Sequence, residues 1–361
     1  MKKVLRVGGY PTFDRKSMGR NSYMISGMNS IKTFFVALQY SGTPLPEPKN
    51  TKLYRFPFLT VPSPSGFKKI PHECKRIVKI VSFTLRTLRV FWRHNPDIVH
   101  IHSPMFFLVA LFAKILGRRC YITFHGSEHE LIYKNRLLGL LFNSVFHKTF
   151  SLSSSIESYG KLFPKYSDKY IVIDNAVDKA VFFEKGGKRE NVILAVGRLE
   201  YQKDYPTLFR AFCDFLLDYP SYELHIVGEG QLSKDLRDLA TNLGIGNSVK
   251  FLGMVAQEEL PGIYNNAEVF VLSSIWEGFP KVLLEAMACG CKVVSTKIDS
   301  VPRVLGLNYP YLVDSGDQSG LAEKFRDIVR QDQSLPLSYG AAIDKYSWVK
   351  IIARMEDEYN S

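Results

Sequence analysis

The stretch Ala267 to Thr296, AEVFVLSSIWEGFPKVLLEAMACGCKVVST, constrains the fold most tightly. It reads as strand, tight loop, buried helix, strand. Val269 to Leu272 form a short apolar run, as a strand covered on both faces requires. Gly278 breaks the pattern. Pro280 suits the first helical position, where a missing N–H costs nothing, and Gly290 suits a left-handed helix end. From Val282 to Cys289 the only charged residue is Glu285. A helix that is apolar nearly all round is buried, and a buried carboxylate is costly unless it is hydrogen-bonded. A second carboxylate, Glu277, stands in the loop. The helix start between the two, at Gly278, Phe279 and Pro280, offers free N–H groups and a positive dipole end, which together make an anion site. Pro280 and Glu285 are separated by roughly 7.5 Å of helix axis. One ligand geometry satisfies all of this: a diphosphate at the helix start, with a hydroxyl-rich group on either side, one bound by Glu277 and one by Glu285. That describes a nucleotide sugar. The alternative is that Glu285 points to solvent and Glu277 is an ordinary loop residue.

At 361 residues and 46% hydrophobic content the chain suggests two domains with a core each. The five cysteines (Cys74, Cys120, Cys213, Cys289, Cys291) form no CxxC pair, and an odd count suits a reduced, cytoplasmic protein. Met1-Lys2-Lys3 leads straight into the strand-like VLRV rather than into a signal peptide. The longest apolar run, Met105 to Ala113, falls short of the about 20 residues that span a bilayer. The net charge of +12 is unevenly spread: residues 1–180 hold 28 Lys and Arg against 10 Asp and Glu, whereas residues 181–361 hold 19 against 25. A basic first half suggests an anionic partner or surface.

Along the first half, strand-like and helix-like pieces alternate. Strands are expected at Val4 to Val7, ending in Gly8-Gly9, at Asp97 to Ile101 and at Cys120 to Phe124, with helical patterns at roughly 74–93 and 104–117. Ile171 to Asp178 reads as a strand followed by a turn. The polar stretch Glu184 to Arg189 reads as a linker. A second alternating set follows at 192–196, 222–227, 249–253, the opening unit and 311–314, and Tyr346 to Tyr359 has helical spacing. Such alternation predicts an α/β protein with two Rossmann-like, doubly wound parallel-sheet domains, residues 1–183 and 184–342, with a C-terminal helix at about 343–361 joining the first. Ligands of such sheets bind beyond the carboxyl ends of the strands, so a cleft between the two domains is the expected site.

Arg198, ending the strand VILAV, and Lys203 five residues on are two cations suited to a diphosphate; the plainer reading is two surface cations. Asp204 can cap the next helix, with Pro206 in its first turn. Gly228-Glu229-Gly230 ends a strand and is either a backbone approach to the nucleotide, through Gly228, or a turn. His125-Gly126-Ser127-Glu128-His129 spells H-x-x-E-H, which on a helix would hold zinc for a hydrolase. The string follows the strand YITF and contains Gly-Ser, so a loop histidine facing the ligand is favoured over a metal site. His100 and His102 flank Ile101 in a strand and point to one side, where packing or a supporting role is expected. No Asp-x-Asp occurs, so no metal or other cofactor is expected. Residues 67–94 hold eight Lys/Arg against one Glu, with Ile77, Ile80, Val81, Leu85, Leu88 and Trp92 at helical spacing. A basic amphipathic helix of this kind lies either on an anionic membrane or on the core with a solvated face. No motif supports nucleic acid as the anion.

Together these pieces resemble the retaining glycosyltransferases of family 4, which have the GT-B fold. The matching strings are TFHG (123–126), NAVD (175–178), VGRLEYQKDYPTL (196–208), HIVGEG (225–230), KFLG (250–253) and the Glu-x7-Glu string EGFPKVLLEAMACG (277–290). The resemblance implies that Glu277 holds hydroxyls of the donor sugar and Glu285 the ribose, that Arg198 and Lys203 neutralise the diphosphate leaving group, and that His125 sits by the sugar at the reacting centre. It also implies anomeric retention and a tail helix with Trp348 that crosses back to the first domain. Three positions depart from the family. Met18-Gly19 stands where a Gly-Gly pair is usual, NAVD where the turn is usually Asn-Gly-Val-Asp, and Ser300-Val301-Pro302-Arg303 where a glycine-rich turn and Glu often follow. Gly19 and Gly126 are the expected acceptor-side residues. The expected reaction moves a sugar from a nucleotide-diphosphate donor to a glycan acceptor carried on a polyprenyl lipid, in surface polysaccharide (O-antigen, capsule or lipopolysaccharide) assembly, at the inner face of the plasma membrane. The alternatives are a sugar-nucleotide binding protein without turnover and the zinc hydrolase.

Overall fold

A computed structural model describes residues 1–9, 28, 30–39, 50–57, 72–125, 128–152, 155–331 and 338–361. The chain divides into two compact units, Met1–Asp174 with Ile351–Ser361, and Asn175–Lys350. Each unit has its own sheet, as expected for a two-domain α/β chain.

Among the described residues the first unit holds seven strands, β1 (Lys2–Gly9), β2 (Ile31–Gln39), β3 (Thr51–Pro57), β4 (Ile98–Ile101), β5 (Arg119–Phe124), β6 (Lys148–Ser151) and β7 (Tyr170–Val172). Their order is β3-β2-β1-β4-β5-β6-β7, with every pair parallel. The second unit holds β8 (Glu190–Val196), β9 (Glu223–Val227), β10 (Val249–Gly253), β11 (Ala267–Leu272), β12 (Lys292–Thr296) and β13 (Leu312–Val313), ordered β10-β9-β8-β11-β12-β13 and again parallel. Both sheets reverse direction beside their first strand, between β1 and β4 and between β8 and β11. Loops leaving the carboxyl ends of those pairs diverge and open a crevice.

Parallel strands need cover on both faces. In the first unit one face is covered by the helices His72–His94, Phe107–Ile115 and Arg136–Val145, whose Phe83, Phe91, Val109, Ala113 and Phe142 pack with Leu5, Val7, Val99, Ile101 and Ile122. The helix His72–His94 uses Phe83, Val90 and Phe91 for this, so Val81, Leu85 and Trp92 of the same helix are left exposed. No helix among the described residues is long and apolar enough to cross a membrane.

The opposite face of β1, β4 and β5 is closed by the last helix, Trp348–Asn360, whose tail supplies Ile351–Ser361 to this unit. Its last carbonyls, which no helical N–H reaches, accept from Lys2 Nζ (to Tyr359 O, 3.0 Å), Arg119 Nη2 (to Tyr359 O, 2.9 Å) and the Tyr121 hydroxyl (to Glu358 O, 3.1 Å). The buried Tyr359 ring lies nearly parallel to Tyr121 at 5.6 Å, and its hydroxyl takes a 2.6 Å bond from Arg6 and meets His100 Nδ1 at 2.5 Å.

The polar stretch 184–189 is a firmly tied part of the second unit rather than a free linker. Arg189 Nη1 donates to the carbonyls of Tyr264, Asn265 and Ala267 and Nη2 to that of Cys289, at 2.7 to 3.2 Å, while Lys185 N donates to Asn265 Oδ1. The division between units comes earlier, because Val177 pairs with Ser347 and Phe182 packs on Tyr264.

At the edge of β5 the Cys120 N–H donates to Nδ1 of His147, which must therefore be unprotonated. Burial, then the charges of Lys114, Lys169 and Arg119, push the His147 pKa from 6.5 down to about 4. The folded state thus prefers the neutral ring, and stability is expected to fall as pH drops from 6.5 towards about 4, with no effect above that window. His147→Gln should flatten this fall. Urea midpoints at pH 7 and pH 5 for both proteins check it, and an equal drop in both would refute it.

Candidate functional site

The loops that follow β8 and β11, on either side of the second unit's reversal point, bring the nominated residues together. Lys203 Nζ lies 2.5 Å from Glu277 Oε1, and the two side chains are only 14% and 12% exposed. The same Glu277 oxygen accepts from the Ser274 hydroxyl at 2.9 Å. Ser273 Oγ donates to the Lys203 carbonyl (2.7 Å) and Ile275 N to that of Gln202 (2.8 Å), so the two loops are stitched by one side-chain and one backbone donor.

Local chemistry explains the fit. Gly197 follows β8, and a Cβ there would come within 2.8 Å of Lys203 Cε, so a side chain at this position would displace the lysine stem that passes over it. Asp204 turns the chain with a left-handed φ of 45° and caps the helix Tyr205–Leu216 through Thr207 N, with Pro206 in the first turn. The turn also buries Tyr205, whose hydroxyl donates to Gly197 O at 3.1 Å. Burial, with the Glu277 charge adding, raises its pKa far above the ordinary tyrosine range, so it stays a donor.

Gly228 has φ +132°, and a Cβ there would sit 2.0 Å from the Gly197 carbonyl oxygen. Its place after β9 is therefore a close approach of two backbones, the buttress of the 197–203 loop. Leu199 N bonds Glu229 O at 3.0 Å in the same contact.

Arg198 follows Gly197 with a side chain 71% exposed, held by Glu200 at 2.8 Å. Phe279 is buried against Tyr346 at 5.1 Å. Pro280 stands just before the helix Lys281–Ala288 rather than at its first position, and its carbonyl accepts from Leu283 N. No side chain caps that helix start.

Glu285 is 3% exposed, so it does not face solvent. Its oxygens hold Lys281 Nζ at 2.8 Å and the Tyr264 hydroxyl at 3.1 Å. The burial is thus satisfied within the protein. Burial, then the Glu285 charge, lifts the Tyr264 pKa well above its ordinary value.

In the first unit His125 directly follows β5, with Nε2 at 3.4 Å from His102 Nδ1. His102 stacks on His100 at 4.5 Å, and His100, fully buried, bonds Thr123 Oγ1 at 2.8 Å and Tyr359. His129 is buried between Phe124 and Tyr159 on the helix Glu128–Tyr133, so the two histidines of H-x-x-E-H have separate ring environments. Gly19 and Gly126 fall outside the described residues.

Sequence reasoning missed Ser274, Tyr205, Lys281 and Tyr264. Lys281 was legible, since a lysine four residues before a buried helical glutamate is its natural partner. Ser274 and Tyr205 lie in the same loops as Glu277 and Lys203, but their roles depend on how those loops turn, and Tyr264 approaches Glu285 from another helix.

Comparison with known proteins gives the family. Residues 178–344 match the model of glycosyl transferases group 1, and residues 33–181 that of glycosyltransferase family 4. The chain belongs to this glycosyltransferase family. It is 26% identical over 284 residues to the phosphatidylinositol N-acetylglucosaminyltransferase gpi3 subunit of Schizosaccharomyces pombe, a match that spans 74% of this chain and 62% of that protein. It is 23% identical to the N-acetyl-alpha-D-glucosaminyl L-malate synthase of Bacillus anthracis, over 83% of this chain and 82% of that protein. Among solved structures, Anabaena HepE in complex with UDP-glucose superposes with a TM-score of 0.73 at 16% identity, covering 100% of both chains.

Proposed function

We propose that the protein transfers a sugar from a nucleotide-diphosphate donor to a lipid-linked glycan acceptor, with retention at the anomeric carbon and without a metal. The observation that carries the donor half is the Lys203–Glu277 pair beside the helix start at Gly278-Phe279-Pro280. It offers an ammonium, a carboxylate and free N–H groups within one pair of stitched loops. In this reading the donor diphosphate takes Lys203 away from Glu277 and adds Arg198, whose exposed guanidinium is free to swing from Glu200. Glu277, released, accepts hydroxyls of the sugar. The ribose replaces the Lys281 ammonium on Glu285 while Tyr264 keeps the other oxygen. As the sugar–phosphate bond breaks, Lys203, Arg198 and the helix start stabilise the charge on the departing diphosphate. These two cations do the work that a metal would otherwise do. His125 acts on the sugar by its place in the TFHG match, steadied by His102.

The solved UDP-glucose complex and the N-acetylglucosaminyl names of two relatives make UDP-N-acetylglucosamine and UDP-glucose the first donors to try. A panel of nucleotide sugars should contain at least one that raises the melting temperature and is slowly hydrolysed without acceptor, also in EDTA. In Glu277→Ala the bare nucleoside diphosphate should still stabilise, but the sugar should add nothing. Binding with no hydrolysis or transfer for any acceptor would favour the binding-protein alternative. The acceptor should meet the basic first unit, and a lipid carrier places that unit on an anionic membrane, as in surface polysaccharide assembly. Release of the protein from anionic vesicles by salt checks that part.

A further inference from the structure

The first unit carries a cation-rich feature that sugar transfer does not use. Between the edge strand β3 and the helix His72–His94 lies an open cavity of about 380 Å³, lined by Tyr54, Phe56, Arg86, Arg89, Val90 and Arg93. The three arginines recur at three- and four-residue spacing and so share one helix face. Among the described residues no carboxylate lines the cavity and none forms an ion pair with the three arginines. Arg86 instead lies 5.7 Å from the Phe56 ring centroid. At the end of the same helix His94 stacks on Phe34 at 4.0 Å and bonds the Tyr54 hydroxyl. Its pKa is lowered by burial and then by the charges of Arg93, Lys52, Lys32 and Lys3, so four cations add to the positive field here.

Three unpaired guanidinium forks in a concave site match the oxygens of a phosphate group, and two aromatic rings wall the space beside it. The exposed apolar residues Val81, Leu85 and Trp92 run along the helix next to the arginine face, with Trp92 64% exposed. An anion that is also an amphiphile satisfies both strips: phosphate to the arginines, acyl region to the apolar side chains.

We propose that this cavity is a phosphate-binding site for the headgroup of an anionic phospholipid, so that the protein reads a lipid phosphate rather than only a diffuse negative surface. The proposal rests on the membrane-facing reading of the first unit and gives it a definite contact. The shared chemistry, a phosphate ester, could also arrive on a soluble molecule, and the experiment separates the two. The full chain is sedimented with phosphatidylcholine vesicles, with and without phosphatidic acid. The Arg89→Gln/Arg93→Gln variant is compared with Lys161→Gln/Lys165→Gln, which removes the same charge from exposed positions elsewhere in the unit. The expected result is binding that needs phosphatidic acid, weakened about thirtyfold by the arginine pair, at about 1 kcal/mol per cation, and by less than about threefold by the lysine pair. Equal loss in both variants overturns the site while leaving the membrane reading intact. If vesicles are ignored but glycerol 3-phosphate shifts the Arg89 and Arg93 side-chain NMR signals, the lipid source is overturned. If neither probe binds, the site itself falls. Donor hydrolysis by Arg89→Gln/Arg93→Gln should equal wild type, which keeps failure here distinct from failure of the transferase reading.

Discussion

Lys203→Ala should lower the rate of sugar transfer about a thousandfold, a loss of about 4 kcal/mol of transition-state stabilisation. The ammonium sits at the meeting of two loops, 14% exposed, where a charge on a departing diphosphate would be little screened by water. The same change should also destabilise the free protein. Glu277, 12% exposed, would keep, among the described residues, the Ser274 hydroxyl alone, and a charge left so poorly matched costs about 1–3 kcal/mol. The two losses separate in the double variant Lys203→Ala/Glu277→Gln. Neutralising the stranded carboxylate should restore most of the melting temperature and none of the rate. A single variant that transfers within tenfold of wild type would remove Lys203 from the mechanism. A double variant that regained rate along with stability would show that the lysine acts only by holding the loop.

The pairing of Lys203 with Glu277 was not legible in the sequence, although each residue was. They stand 74 positions apart and meet because β8 and β11 are neighbours at the sheet's reversal point. Strand–helix alternation predicts a parallel sheet but not strand order, and strand order decides which loops touch. The opening unit was legible because its constraints are local: a double-covered strand, a breaker and an apolar helix. Its burial of Glu285 held, but the carboxylate's partners differ from the expected picture of an oxygen pair waiting for a ligand. Lys281 and Tyr264 already satisfy it. The strands β2 and β3 were not anticipated, because apolar runs such as that from Phe34 to Leu38 carry no periodicity that separates a buried strand from a buried helix. The basic helix was found, but its apolar residues divided between two faces: Phe83, Val90 and Phe91 took the core and Val81, Leu85 and Trp92 took the surface. Spacing alone could not say which set the sheet would claim.

Gly228→Ala should be the most damaging single methyl in the second unit. Two separable costs act there. The φ of +132° lies where an L side chain is strained, and the new Cβ would stand 2.0 Å from the carbonyl oxygen of Gly197, a backbone atom of a residue whose own N–H is bonded to Val227 O. Gly244 provides the control, since its φ is +73° and nothing lies within 4 Å of its would-be Cβ. Gly244→Ala therefore reports the cost of left-handed backbone alone, about 1–2 kcal/mol. Gly228→Ala should exceed it, at about 3 kcal/mol or more, lowering the melting temperature of a unit this size by roughly 10 °C. The excess also has a direction. Relief requires the 197–203 loop to back away from β9, and Gly197 is the residue over which the Lys203 stem passes. Nucleotide-sugar affinity should therefore fall in Gly228→Ala, measured well below its melting temperature, and stay unchanged in Gly244→Ala. Equal shifts in the two melting temperatures would mean that the Gly197 contact relaxes without cost, and that the glycine after β9 serves the turn alone.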